Sequence, residues 1–114
     1  MYSKKYKGKC VKKRISKSNE VIRCFDDIML AYVNGLEKDD NIVEVQCNVP
    51  LDDFSLGDYT TDFVCKLKDG SLRVRECVQR DKLTHHITVK WMDASRTYWL
   101  RREVRDWVIV TDAD

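Results

Sequence analysis

Asp62 and Glu76 are the two side chains of this 114-residue chain whose type and spacing best suit chemistry. They lie on the two arms of one segment, Tyr59 to Gln79, where β-branched and aromatic residues flank Asp69-Gly70. That pattern predicts a β-hairpin, because Asp-Gly supplies the positive φ angles of a tight turn. Turn type then decides what the acids can do. A two-residue turn would pair Lys68 with Ser71 and set Asp62 opposite Cys77, turning the acids to opposite sides. A three-residue loop, Lys68-Asp69-Gly70 with Gly70 left-handed as a bulge, pairs Leu67 with Ser71 and sets Asp62 directly across from Glu76. The second register is expected, since Gly70 adopts that conformation without strain. Two carboxylates side by side on neighbouring strands repel unless a cation lies between them, and such oxygen donors suit magnesium.

The elements that must position this pair follow from periodicity. Val21, Phe25, Ile28 and Tyr32 recur at helical spacing, widened by Ile22 and Met29, with Ser16 and Ser18 as candidate N-caps and Gly35 as a stop. A helix over 18–34 is expected, with Glu20 in its first turn. Ile42 to Val49 alternates and reads as a strand ended by Pro50, followed by an acidic loop to Asp58. After the hairpin, Arg80-Asp81-Lys82 breaks the strand pattern. Residues 88–102, with Val89, Trp91, Met92, Tyr98, Trp99 and Leu100, predict a second helix with an aromatic face. Trp107 to Thr111 reads as a buried final strand, and a helix between two strands permits a parallel pairing by a right-handed crossover.

Ser18-Asn19-Glu20 opening the first helix, Val45-Gln46, Tyr59-Thr60-Thr61-Asp62-Phe63, Lys68-Asp69-Gly70 and Val74-Arg75-Glu76 follow one another in this order. Ser95 to Leu100 and Asp106 to Val110 complete it. Over nearly its whole length the chain resembles the PD-(D/E)xK nuclease core, and within it the N-terminal endonuclease domain of TnsA-type transposon end-cleaving proteins. The resemblance implies an α/β, restriction-endonuclease-like fold: a mixed sheet of about four strands flanked by helices, in αβββαβ order. It implies a metal-dependent DNA endonuclease of a mobile element or phage, using Mg2+ or Mn2+. Asp62 would be the central metal ligand, Glu76 the second acid and Glu20 a helix-borne carboxylate. The metal would polarise the scissile phosphate and activate water. One departure stands out. The family pattern places lysine two residues after the second acid, where this chain has Val78. Lys82 is a candidate substitute; the alternative is a catalytically degenerate nuclease-fold protein that binds DNA or a protein partner, such as a host factor it inhibits.

Charge divides the chain unevenly. Of 21 Lys and Arg and 19 Asp and Glu, residues 1–17 hold eight cations and no acid, leaving 13 against 19 in the remainder, a net of −6. The two expected parts are therefore a flexible basic arm, 1–17, and a single nuclease-like domain, 18–114. Lys4, Lys5, Lys7, Lys9, Lys12, Lys13 and Arg14 are candidate DNA phosphate contacts, and a transposase, recombinase or other protein subunit is a further candidate partner. No apolar run approaches the roughly 20 residues that span a bilayer, and no signal-peptide core follows the basic N-terminus. A cytoplasmic protein without membrane contact is expected. The five cysteines lack metal or disulfide spacing and read mostly as buried thiols. His85 and His86, being adjacent, cannot point together at a metal. The three tryptophans read as core. Arg73 and Arg75 either line a groove beside the acids or solvate a sheet face.

Overall fold

The computed structural model describes residues 10–112. The N-terminal stretch begins with two short antiparallel strands, β1 (Val11–Lys13) and β2 (Ile22–Cys24). Helix α1 (Asp27–Leu36) follows, then β3 (Ile42–Pro50), β4 (Thr60–Leu67) and β5 (Leu72–Cys77). A 3-10 turn (Arg80–Lys82) leads to α2 (His86–Leu100) and β6 (Asp106–Val110). The central sheet runs β3-β4-β5-β6, with antiparallel neighbours except for the parallel β5–β6 pair. The expected mixed four-stranded sheet with two helices is thus present, and α2 provides the crossover that parallel pairing needs. Among the described residues no helix is long and apolar enough to cross a membrane.

Strand alternation sends side chains to two separate cores. Phe63, Cys65 and Leu67 join Val45, Cys77 and the α1 residues Ile28, Met29, Val33 and Leu36 on one face. On the other, Val64, Val74 and Val78 pack with Leu51, Phe54 and the α2 residues Trp91, Met92 and Trp99. Each helix covers one face, so both faces of the hairpin are dry, and burying a single large apolar side chain there contributes about 1.5–3 kcal/mol.

The first helix is shorter than expected. Residues 22–24 form β2 instead, Ile22 and Cys24 buried with Arg23 exposed between them. Val21 to Phe25 is rich in β-branched and aromatic residues, and this local period of two prevails over the coincident helical spacing. Asp26 is the true N-cap: its Oδ1 accepts the Met29 N–H at 2.8 Å. Gly35 lies inside α1, one residue short of the end. The basic stretch is likewise not a loose arm up to residue 17. Val11–Lys13 pair with β2, the Lys17 carbonyl accepts the Val45 N–H at 2.8 Å, and Lys17 Nζ donates to the Leu36 and Asp39 carbonyls, each at 2.7 Å. Lys4, Lys5, Lys7 and Lys9 lie outside the described residues.

Two further expectations shift. In α2 the buried stripe is Thr88, Trp91, Met92, Ser95 and Trp99, while Val89 and Leu100 are exposed. β6 is an edge strand, half-buried, with Val108 in solvent. The α2 stripe therefore carries two hydroxyls, Thr88 and Ser95, at positions where apolar residues were expected.

Candidate acidic site on the central hairpin

Gly70 sets the geometry. Its φ of +87° closes the loop, the Gly70 N–H donates to Leu67 O at 2.9 Å, and Leu67 N–H donates to Ser71 O at 2.9 Å. This is the three-residue loop, and the ladder runs Lys66–Leu72, Cys65–Arg73, Val64–Val74, Phe63–Arg75. One step further, Asp62 stands across from Glu76 as expected. On its other side Asp62 faces the β3 position of Asn48, which takes a left-handed φ of 52° and falls out of the β3–β4 ladder. The β3–β4 pairs thus pass over Asn48 and Asp62, and the regular β4–β5 pairs end at Phe63–Arg75.

Side chains take over from the ladder here. The Asp62 backbone N–H donates to Glu76 Oε1 at 3.1 Å, and the Cys77 N–H donates to Asp62 Oδ2 at 2.7 Å. Ser95 Oγ, from α2, donates to Glu76 Oε2 at 2.5 Å, and Thr61 Oγ1 donates to the same oxygen at 3.1 Å. Each hydroxyl in turn accepts an indole N–H: Trp107 Nε1 to Ser95 Oγ at 3.1 Å, and Trp99 Nε1 to Thr61 Oγ1 at 3.0 Å. Glu76 is 0% exposed and Asp62 1%. A carboxylate with three donors and no water contact is a satisfied buried group, the condition under which burying it is tolerable.

The other expected site residues lie elsewhere. Glu20 is not on a helix; it occupies the exposed bend before β2, its N–H donating to Ser18 Oγ at 3.3 Å. It lines a cleft of about 310 Å³ with Ser18, Asn19, Glu44, Gln46 and Asn48, none of them the hairpin acids. Lys82 is half-buried at the end of the 3-10 turn. Val78, at the expected lysine position, is 3% exposed and belongs to the α2-side core. His85 and His86 are both exposed at the start of α2.

Magnesium would require hard oxygen donors with positions left for water. Asp62 and Glu76 offer the right atoms, but both Glu76 oxygens already accept hydrogen bonds from the protein. Among the described residues no group of three or more His, Cys, Asp or Glu side chains is placed to hold a metal. The residues present do not make a complete magnesium centre.

Arg73 and Arg75 serve the opposite face. Arg73 Nε donates to Asp106 Oδ2 at 3.1 Å and its Nη1 to Asp39 Oδ2 at 3.3 Å, while Arg75 Nη1 reaches Asp106 Oδ1 at 2.8 Å. Burial pushes the Asp106 carboxyl up, but the hydrogen bonds from Arg75 and Arg73 outweigh it and hold the group below the usual carboxylate range. These arginines tie β6 to β5 instead of lining a groove. On the same side, burial raises the Cys24 thiol to about 11, Cys47 and Asp26 adding to it. Three of the five cysteines are buried, and all five are free thiols.

Sequence reasoning missed Thr61, Ser95, Trp99 and Trp107. The available signal was a pair of small hydroxyl residues at apolar positions, each facing an indole only once the sheet is assembled. No protein-family model matches the chain, and no curated protein matches it either.

Proposed function

We propose that this chain is a DNA-binding protein on a TnsA-like, PD-(D/E)xK nuclease-type core, in which the acidic pair holds the fold together instead of a metal ion. The observation that carries this reading is the set of donors around Glu76. Asp62 N–H, Ser95 Oγ and Thr61 Oγ1 occupy both of its oxygens, and the position two residues on is the buried Val78. The eight cations of residues 1–17 support nucleic acid as the partner, because an acidic remainder of net −6 repels phosphodiesters unless a local positive surface draws them in. Work alongside a transposase or recombinase subunit, in a mobile element or phage, is the setting the resemblance implies.

A second reading has one observation in its favour. Asp62 and Glu76 stand across from each other, with Lys82 in the turn just after β5, as a metal-dependent endonuclease with a displaced lysine would have them. One experiment separates the two. Duplex binding is measured by fluorescence anisotropy in EDTA, and supercoiled plasmid is incubated with the protein in Mg2+, Mn2+ or EDTA. The proposal expects binding in EDTA and no nicking beyond that of an Asp62→Asn variant. Nicking in Mn2+ that Asp62→Asn abolishes would establish the endonuclease reading, and absence of duplex binding would leave a protein partner in its place.

A further inference from the structure

We infer that the β1–β2 ribbon is the element that docks on duplex DNA, its outward face gripping phosphates through Lys12, Arg14 and Arg23. The inference rests on the DNA-binding reading and deepens it by naming the contact surface. Lys12 pairs directly with Arg23 across the two strands, between Val11–Cys24 and Lys13–Ile22. Like charges set opposite each other on one face destabilise a strand pair, so the pairing is favoured when an anion lies over it.

The ribbon's two faces differ in kind. Ile22 and Cys24 are buried at 0% and 2% exposure in the α1-side core, which fixes the ribbon to the domain. Lys12 and Arg23 alternate with the inward positions, Arg14 follows the end of β1 directly, and all three are exposed. Among the described residues none of the three enters an ion pair. Lys17, by contrast, is committed to two backbone carbonyls. Between Val11 and Cys24 the only acid is Glu20, in the connecting bend.

Shape agrees with charge. Three residues per strand make a ribbon about 10 Å long, and the major groove of B-DNA, about 12 Å wide, admits a two-stranded β-ribbon. Lys4, Lys5, Lys7 and Lys9 precede β1 directly in the chain, so a ribbon on the duplex brings further cations to the same partner. The anchoring residues hold Lys12 and Arg23 in fixed relation, so less freedom is lost on binding than with a loose arm.

The test compares salt dependence of binding to a 20-base-pair duplex, by anisotropy, for four proteins: wild type, Lys12→Gln/Arg23→Gln, Lys90→Gln/Arg101→Gln on α2, and a deletion of residues 2–9. Each phosphate contact contributes about 0.9 to the slope of log affinity against log salt. The ribbon pair is expected to lower that slope by about 2 and to weaken binding at least tenfold near physiological salt, while the α2 pair binds as wild type. Thermal unfolding of the ribbon variant in the absence of DNA should match or exceed wild type, since a repulsive pair is removed. An unchanged slope for the ribbon pair, with binding lost in the 2–9 deletion, overturns the inference and assigns binding to residues 2–9. Failure of wild type itself to bind overturns the DNA reading and the inference together.

Discussion

Asp62 and Glu76 meet across the hairpin through a backbone donor: the Asp62 N–H points at Glu76 Oε1, 3.1 Å away, and Asp62 Oδ2 in turn takes the Cys77 N–H at 2.7 Å. The two acids are thereby bound into the strand pairing that a bare carboxylate pair would disrupt. Ser95 and Thr61 extend the arrangement to α2 and, through the tryptophans, to β6.

Removing one hydroxyl from this network should leave an indole N–H and a carboxylate lone pair without a partner. Ser95→Ala and Thr61→Val are each expected to cost about 1–3 kcal/mol in urea unfolding. Because both hydroxyls serve the same Glu76 oxygen, the double variant should deviate from additivity by at least 0.5 kcal/mol. Additive losses would show that the two hydroxyls act independently.

Metal should make no difference to the folded state. A ligand at a hundred times its Kd raises stability by about 2.7 kcal/mol, which would be plain in a melting curve. Melting temperatures in millimolar Mg2+, in Mn2+ and in EDTA are expected to coincide. A rise in Mn2+ that Glu76→Gln abolishes would restore the hairpin acids as metal ligands.

Two glycines should respond to alanine with opposite signs. Gly70 holds φ +87° with open space where a Cβ would go, so Gly70→Ala costs only backbone strain, about 1–2 kcal/mol. Gly35 is inside α1, also with open space, and Gly35→Ala should stabilise by about 0.5–1 kcal/mol. Denaturant midpoints measured side by side check both, and equal shifts would count against the loop assignment.

Acid should weaken the β5–β6 clamp. The Asp106 carboxyl is held below its ordinary range in the fold, so its contribution is present above the unfolded value near 4 and fades as pH falls through the folded one. Asp106→Asn should lower the melting temperature at pH 7, and the gap to wild type should shrink toward pH 3. Because Asp106 is partly exposed, high salt should also narrow the gap. A gap independent of pH would remove the ion pairs as its cause.

Deleting residues 2–9 and deleting 2–14 should differ sharply. The shorter deletion spares β1, whereas the longer removes Val11–Lys13, the strand partner of β2, which carries the buried core residues Ile22 and Cys24. A loss of several degrees in melting temperature is expected only for the longer one, given that small domains lose about 4–8 °C per kcal/mol.

What the amino-acid sequence determined was local. Asp69-Gly70 with β-branched arms specified the hairpin and, through the conformational freedom of Gly70, its register, and with it the placing of Asp62 across from Glu76. The apolar spacing that predicts a helix over 88–102 placed α2 within two residues of its His86–Leu100 bounds, and the crossover rule permitted the parallel pairing that β5 and β6 make. Other features depended on contacts between distant segments. Val21 to Phe25 satisfies both a helical and a strand period, and only pairing with β1 and burial of Ile22 and Cys24 decide for the strand. That choice moved Glu20 off a helix and made an ordered cationic ribbon of residues 11–24. Ser95 and Thr61 carry no local mark of their role; only the folded sheet brings their hydroxyls to one buried oxygen, where an unsatisfied charge would be costly. Tertiary structure thus decided that Glu76 meets three donors of its own chain, because the partners of a buried carboxylate come from whichever elements pack over it.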